Sequence, residues 1–182
     1  MSEEANARKA RSEAALLRRQ IPINKHLPVI ETSEARLRSK PEIAYRALAL
    51  LVAALKAEGL EQQVFEKVLS KYALAPYFTA KESVFIEKHE PSKRERVQFT
   101  WRYEAAWVLL WALSYIENIG EPSAICDVPK AVSIMRDRTT EQFIAEASLR
   151  PLAQVLDEAD LIIGATGRLS THELTENPAS KA

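Results

Sequence analysis

From Lys40 to Ala57 apolar residues return at three- and four-residue steps, at Ile43, Ala47, Leu50, Leu51, Ala54 and Leu55, and Gly59 follows where a left-handed C-cap belongs. That spacing predicts a helix. Residues 61–73 and 80–88 repeat the pattern more briefly on either side of Pro76, with Val64, Phe65, Val68 and Leu69 on one face of the former. From about Lys93 to Asn118 neither Gly nor Pro intervenes, which predicts a single helix about 39 Å long at a rise of about 1.5 Å per residue. Asp127, Thr139 and Arg150 then open three further helices, the last with Leu152, Val155, Leu156, Ala159 and Ile163 on one side.

The ends of the chain are patterned differently. Residues 1–20 read as a thinly apolar, weakly packed helix whose burial candidates are Ala10, Ala14, Leu16 and Leu17. "IPINKHLPVI", 21–30, carries two prolines that remove backbone donors and favour extended geometry, so it reads as an ordered arm. After Gly164 the apolar period stops, and residues 165–182 read as a disordered polar tail. The expected organisation is an N-terminal helix (1–20), a helical core domain (21–164) and the tail (165–182). The expected fold class is an all-α, single-domain, multi-helix bundle around a buried central helix at about 93–118.

Helix start signals support that fold class. Ser39 with Glu42, Thr79 with Glu82, and Ser92 with Glu95 each place a hydroxyl three residues before a carboxylate, so that both can serve free amides at a helix N-terminus. With four glycines in the chain, the tight hairpins of an all-β fold have little to form from.

The stretch "WRYEAAWVLLWAL", 101–113, holds all three tryptophans and sets Arg102 and Glu104 inside an apolar run. At about 100° per residue, Trp101, Trp107, Val108, Trp111 and Tyr115 cover one side of a helix and Leu109, Leu110 and Leu113 the other. A helix apolar on every face is expected to be enclosed by neighbours. Trp101, Trp107, Trp111 and Tyr115 are therefore the expected core aromatics. Arg102 and Glu104 are two residues apart and cannot pair along the helix, so each needs a partner from elsewhere. The expected structural ion-pair network joins Glu104 to Arg150, and Arg102 to Asp157 or Asp160.

Charge and cysteine content narrow the function classes. Twenty-five basic residues balance twenty-five acidic ones, which removes the electrostatic footprint of a duplex nucleic-acid binder or a membrane-surface protein. Two local clusters, Arg8, Lys9, Arg11, Arg18 and Arg19, and Lys93, Arg94 and Arg96, leave an RNA-binding accessory role as the weaker alternative. Nothing approaches about 18 unbroken apolar residues, so no membrane span is expected. The start is charged and lacks the apolar core of a secretory signal, and with Cys126 as the only cysteine a reducing cytoplasm is the expected compartment.

Three blocks, "RKARSEAALLRRQIPINKHLPVIE" (8–31), "RSKPEIAYRALALLVAALKAEGL" (38–60) and "VQFTWRYEAAWVLLWAL" (97–113) with "CDV" at 126–128, resemble the bacterial domain-of-unknown-function family 4272. The likeness runs from about residue 8 to residue 161. It implies a mostly helical, cytoplasmic domain and carries no activity, cofactor or catalytic residue with it. After "LDEADL", 156–161, the chain departs from that pattern: family members continue into a further helix and a segment bearing histidine and tryptophan, where this chain has "IIGATGRLSTHELTENPASKA".

Candidate chemistry is sparse. Gly164 and Gly167 after a short apolar run suggest a dinucleotide loop, but Ser170 stands where a third glycine is usual and too little chain follows for a βαβ unit. His26, His89 and His172 have no histidine partner at helical spacing, so no metal site is expected. Cys126 precedes Asp127, a natural N-cap, where a helix dipole lowers a thiol's pKa. The leading expectation is a non-enzymatic module that contacts another protein, without cofactor or metal. The rival is a small hydrolase- or transferase-like enzyme whose site gathers Arg102, Glu104, Cys126 and Arg150.

Overall fold

In a computed structural model, which describes residues 2–121 and 124–172 and side chains as far as residue 166, the regular secondary structure is all helical, with no strand among the described residues. In chain order the helices are α1 (Glu3–Arg18), α2 (Lys40–Glu58), α3 (Gln62–Tyr72), a 3-10 turn (Ala75–Tyr77), α4 (Ala80–Glu87), α5 (Lys93–Thr100), α6 (Arg102–Ala112), α7 (Val128–Arg136), α8 (Thr140–Glu146) and α9 (Leu152–His172). The all-α expectation holds. The chain divides into two compact units, one built from residues 2–37 and 151–172, the other from residues 38–150.

In the larger unit α2 is the central element. Ala44, Ala47, Leu48, Ala49, Leu51, Val52, Ala53 and Ala54 are wholly enclosed, and α5 and α6 make the most extensive of its helix contacts. Alanines at 44, 47, 49, 53, 54 and 57 present little bulk, so neighbouring helices approach its axis from several sides. Its N-terminus is closed by the Glu42 carboxylate, which accepts from Ser39 N at 2.9 Å and Ser39 Oγ at 2.6 Å. Its C-terminus is closed by Gly59 at φ 85°, a left-handed conformation that suits glycine.

The single helix expected over 93–118 is two helices. The i→i−4 ladder breaks at Trp101 (φ −61°, ψ −7°), whose N–H turns back to the Phe99 carbonyl, and α6 ends at Ala112. Ser114 adopts φ 61°, and its N–H and that of Tyr115 reach the Trp111 and Leu110 carbonyls at 2.9 Å each, a left-handed stop without glycine. The returning chain completes this cap. Arg150 N donates to Ala112 O at 3.0 Å and Ser148 N to Leu113 O at 3.1 Å. The Arg150 guanidinium donates to Trp111 O (2.7 Å), Ile116 O (2.7 Å) and Glu117 O (3.0 Å) and lies 4.7 Å from the Trp111 ring centroid. A cation at the negative end of a helix, spent on carbonyls the helix leaves free, is favourable on both counts.

The enclosure expected of the tryptophan stretch is only partial. Trp107 and Trp111 are buried, each 7% exposed, but Trp101 is 62% exposed and Val108 37%. Tyr115 is half-buried, donates to Phe143 O at 2.5 Å and stacks on the Phe143 ring. The element apolar on all sides is α2, because its small residues admit neighbours all round, whereas α5 and α6 each turn one face outward.

In the smaller unit α1 is expected to pack weakly, yet it encloses Ala5, Arg8, Ser12 and Leu16 against α9 and the arm. Arg8 is 2% exposed. It donates to Asp160 Oδ2 at 2.6 Å, to Thr32 Oγ1 at 3.1 Å and to the Ile30 carbonyl. Lys9 Nζ donates to Lys25 O and Leu27 O, and Ser2 ties down Glu31 through its N–H and hydroxyl. Basic side chains of α1 thus satisfy carbonyls that the proline-bearing arm cannot pair within itself. Gly164 does not end α9 but lies inside it, at the point where a Cβ would come within 2.5 Å of Leu16 Cδ1. The helix continues to His172, and residues 173–182 of the expected tail lie outside the described residues.

Replacing Arg150 with Met should remove the three guanidinium hydrogen bonds at the end of α6 and lower stability by about 2–3 kcal/mol. Arg150→Lys should recover only part of this, because an ammonium cannot span the same carbonyls. Urea midpoints of the two variants, read by far-ultraviolet circular dichroism, check the ranking.

Candidate functional site

The most deeply enclosed charged residue among those described is Glu82, on the first turn of α4. Its side chain is wholly enclosed. Thr79 Oγ1 accepts from the Glu82 N–H at 3.4 Å and the Glu82 carboxylate accepts from Thr79 N at 2.9 Å, so the expected capping box forms. The same carboxylate then takes a bidentate pair of bonds from Arg46 of α2, at 2.7 Å each, and Arg102 Nε of α6 stands 3.6 Å from its Oε1. One buried anion therefore faces two guanidiniums. Burial would raise the Glu82 carboxyl, but the Arg46 hydrogen bonds, the Thr79 amide and the Arg46 charge outweigh it and hold the group below its ordinary value of 4.5.

The two arginines open onto different grooves. Arg46 lines a cleft of about 600 Å³ with Arg38, Pro41, Glu42, Tyr45 and Tyr77, whose floor is the Tyr45–Tyr77 stack at 3.9 Å between ring centroids. Arg102 lines a second, of about 610 Å³, between α4 and α5 with Ala80, Lys81, Val84, Phe85, Glu95, Gln98 and Phe99. The Phe85 and Phe99 rings stack at 3.8 Å to form its base, and the Arg102 guanidinium lies 5.4 Å from the Phe99 centroid. The open end of the α4–α5 hairpin is closed by Lys88, which donates to Glu95 at 2.5 Å. That bond, with the hydrogen bonds from Ser92, lowers the Glu95 carboxyl to about 2. Val84 on α4 and Trp101, at the junction of α5 and α6, stand exposed beside the groove at 58% and 62%, and Val97, one turn before Trp101 on α5, is 55% exposed on the side of that helix turned away from it.

The ion-pair network expected from sequence is dispersed. Arg102 meets Glu82, whereas Asp160 is held by Arg8 and Asp157 by Arg11 at 2.7 Å. Arg150 is spent on the end of α6. Glu104 accepts from the backbone N–H of Cys126 at 2.9 Å, which anchors the loop ahead of α7. The physical reason is that each charge found the nearest unsatisfied group of opposite polarity, carbonyls and amides included, and sequence spacing does not report those. Glu82 escaped notice because the capping box already accounted for it. The available signal was Arg46, an arginine on the most apolar helix, placed to reach an acid on a helix packed against it.

Of the four residues of the enzyme-like site, only Glu104 and Cys126 are brought together by the bonds described. The expected lowering of the thiol is reversed. Burial, then the hydrogen bond and charge of Glu104, with Asp127 behind them, push Cys126 up to about 12. Asp127 itself caps α7 as expected, accepting from Lys130 N at 3.0 Å. Gly164 and Thr166 lie within α9, and no strand precedes them as a dinucleotide loop requires. Among the described residues no three His, Cys, Asp or Glu side chains group to hold a metal ion, and no helix is long and apolar enough to cross a membrane. The side chain of His172 lies outside the described residues.

Two predictions follow from these charges. Cys126 should react slowly with iodoacetamide at pH 8, and Glu104→Gln, by removing a negative neighbour, should lower the thiol's pKa and speed alkylation; an unchanged rate–pH profile would contradict the assignment. For Glu82, the unfolded chain takes up a proton before the folded one does. Its stabilisation is therefore complete above about pH 4.5 and is lost as the pH falls through the folded-state value. Urea midpoints measured down to about pH 3 should show Glu82→Gln less stable than the parent at neutral pH, with the gap closing in acid.

No curated protein and no solved structure matches the chain. The profile of the family described as "Domain of unknown function (DUF4272)" matches residues 8–182, passing beyond "LDEADL" through the stretch expected to depart from the family. With the helical fold in place and nearly the whole length matched, the chain belongs to that family, DUF4272.

Proposed function

We propose that this protein is a non-enzymatic binding module of the bacterial cytoplasm that works by contact with another protein through its α4–α5 face. The observation that carries the reading is the exposure of Val84 and Trp101 beside the groove, and of Val97 one turn before Trp101, large apolar side chains left in water when the rest of the α5–α6 stretch buries its aromatics. Exposed tryptophan beside a concavity is characteristic of contact surfaces, where aromatic anchors supply most of the binding energy. The groove is lined by no Ser, Thr, Cys or His, and burial and Glu104 raise the pKa of Cys126, the chain's one cysteine. A single cysteine suits a reducing compartment.

Affinity capture from a host lysate with the parent protein and with Val97→Asp and Trp101→Asp tests this. Both positions are exposed, so the variants should keep the parent's circular dichroism and melting temperature while losing a partner that the parent retains. Recovery of the same proteins by parent and variants would overturn the reading.

A further inference from the structure

Building on that contact surface, we propose that the α4–α5 groove receives an acidic segment of the partner, in which carboxylates flank a bulky apolar side chain. The argument is one of charge complementarity. Three charged side chains line the groove, Lys81, Glu95 and Arg102. The single anion is already committed: Glu95 accepts from Lys88 Nζ at 2.5 Å, from Ser92 N at 2.9 Å and from Ser92 Oγ at 2.8 Å. The two cations are not. Among the described residues Lys81 has no acid within ion-pair distance.

Arg102 is under-compensated in a specific way. The carboxylate nearest it, Glu82, gives both oxygens to Arg46 at 2.7 Å. Arg102 Nε is left 3.6 Å away, enclosed and without a hydrogen-bond partner among the described residues. Two guanidiniums on one carboxylate leave one positive charge unspent, and it emerges where the Arg102 side chain, 39% exposed, enters the groove. The Phe99 face beneath it and Glu82 behind it hold the guanidinium in one orientation before any ligand arrives, which lowers the entropy cost of binding a carboxylate.

The apolar half of the ligand follows from the same lining. Ala80 and Val84 form one wall above the Phe85–Phe99 base. Trp101, at the end of α5, lies about 60° round the helix from Gln98, a wall residue, so contact can continue from the groove onto Trp101. A small carboxylate would occupy only part of the groove and leave that flank in water; a peptide segment covers both.

Fluorescence anisotropy with a labelled peptide in which glutamates flank leucine and phenylalanine, beside its glutamine counterpart, tests the assignment. The glutamate peptide should bind at least about tenfold tighter than the glutamine one, and its affinity should fall with salt. Arg102→Gln should weaken it by about tenfold and Lys81→Gln by about threefold. Because Arg102→Gln also touches Glu82, Lys81→Gln, on the open surface, keeps the test independent of folding, and Arg38→Gln in the other groove should leave binding unchanged. Equal binding of the two peptides, insensitivity to both Arg102→Gln and Lys81→Gln, or displacement of the peptide by a uridine oligonucleotide at lower concentration would overturn the acidic-segment assignment. If a partner is still lost on Trp101→Asp while the peptides show no charge preference, the contact surface stands and only this inference falls.

Discussion

Helix α2 is enclosed from all sides, and that enclosure sets terms for the rest of the larger unit. Its alanines bring neighbouring helices close to the axis, so any polar group on it must be matched within the protein. Arg46, 34% exposed at the edge of this helix, reaches the wholly enclosed Glu82 with two short, parallel hydrogen bonds. Because Glu82 also closes the capping box of α4, one carboxylate locks the start of that helix to the central one. The demand made by one enclosed acid thus fixes where α4 sits, and with α4 the wall of the groove.

A second consequence concerns Arg102. Had α5 and α6 formed one uninterrupted helix, Arg102 and Glu104 would have pointed to separate faces of a rod, each in search of a distant partner. The break at Trp101 instead puts the tryptophan outside and leaves Arg102 beside an anion already engaged. An arginine that shares its counter-ion is less fully neutralised than one that owns it. That electrostatic remainder, rather than a catalytic constellation, is what distinguishes the α4–α5 groove from the Tyr45–Tyr77 cleft, where Glu42 stands 3.6 Å from Arg38 and Arg46 holds its own carboxylate.

Arginine serves three different ends in this chain. Arg8 fastens an arm without helix by giving its donors to Asp160, Thr32 and a backbone carbonyl; Arg150 caps α6; Arg46 neutralises a buried acid. In each case a planar group with several donors satisfies acceptors set at different angles, work an ammonium does poorly. The expectation of a single ionic network overlooked this variety because it sought acids for every base.

Local signals were legible in the sequence. The capping boxes at Thr79 and Ser92, the left-handed Gly59, the N-cap at Asp127 and the helical period of α2, α3 and α9 all depend on residues within a turn or two of one another, and all appear where spacing placed them. The fold class followed from the same short-range rules, and so did membership of DUF4272 through whole blocks of sequence. Tertiary structure alone decided which helix is central, which tryptophan faces water, and which acid meets Arg102. Those outcomes depend on how closely helices approach and on which backbone groups they leave unpaired. Alanine at the axis of α2, a ladder broken at Trp101 and carbonyls freed at the end of α6 become decisive only once the elements are packed.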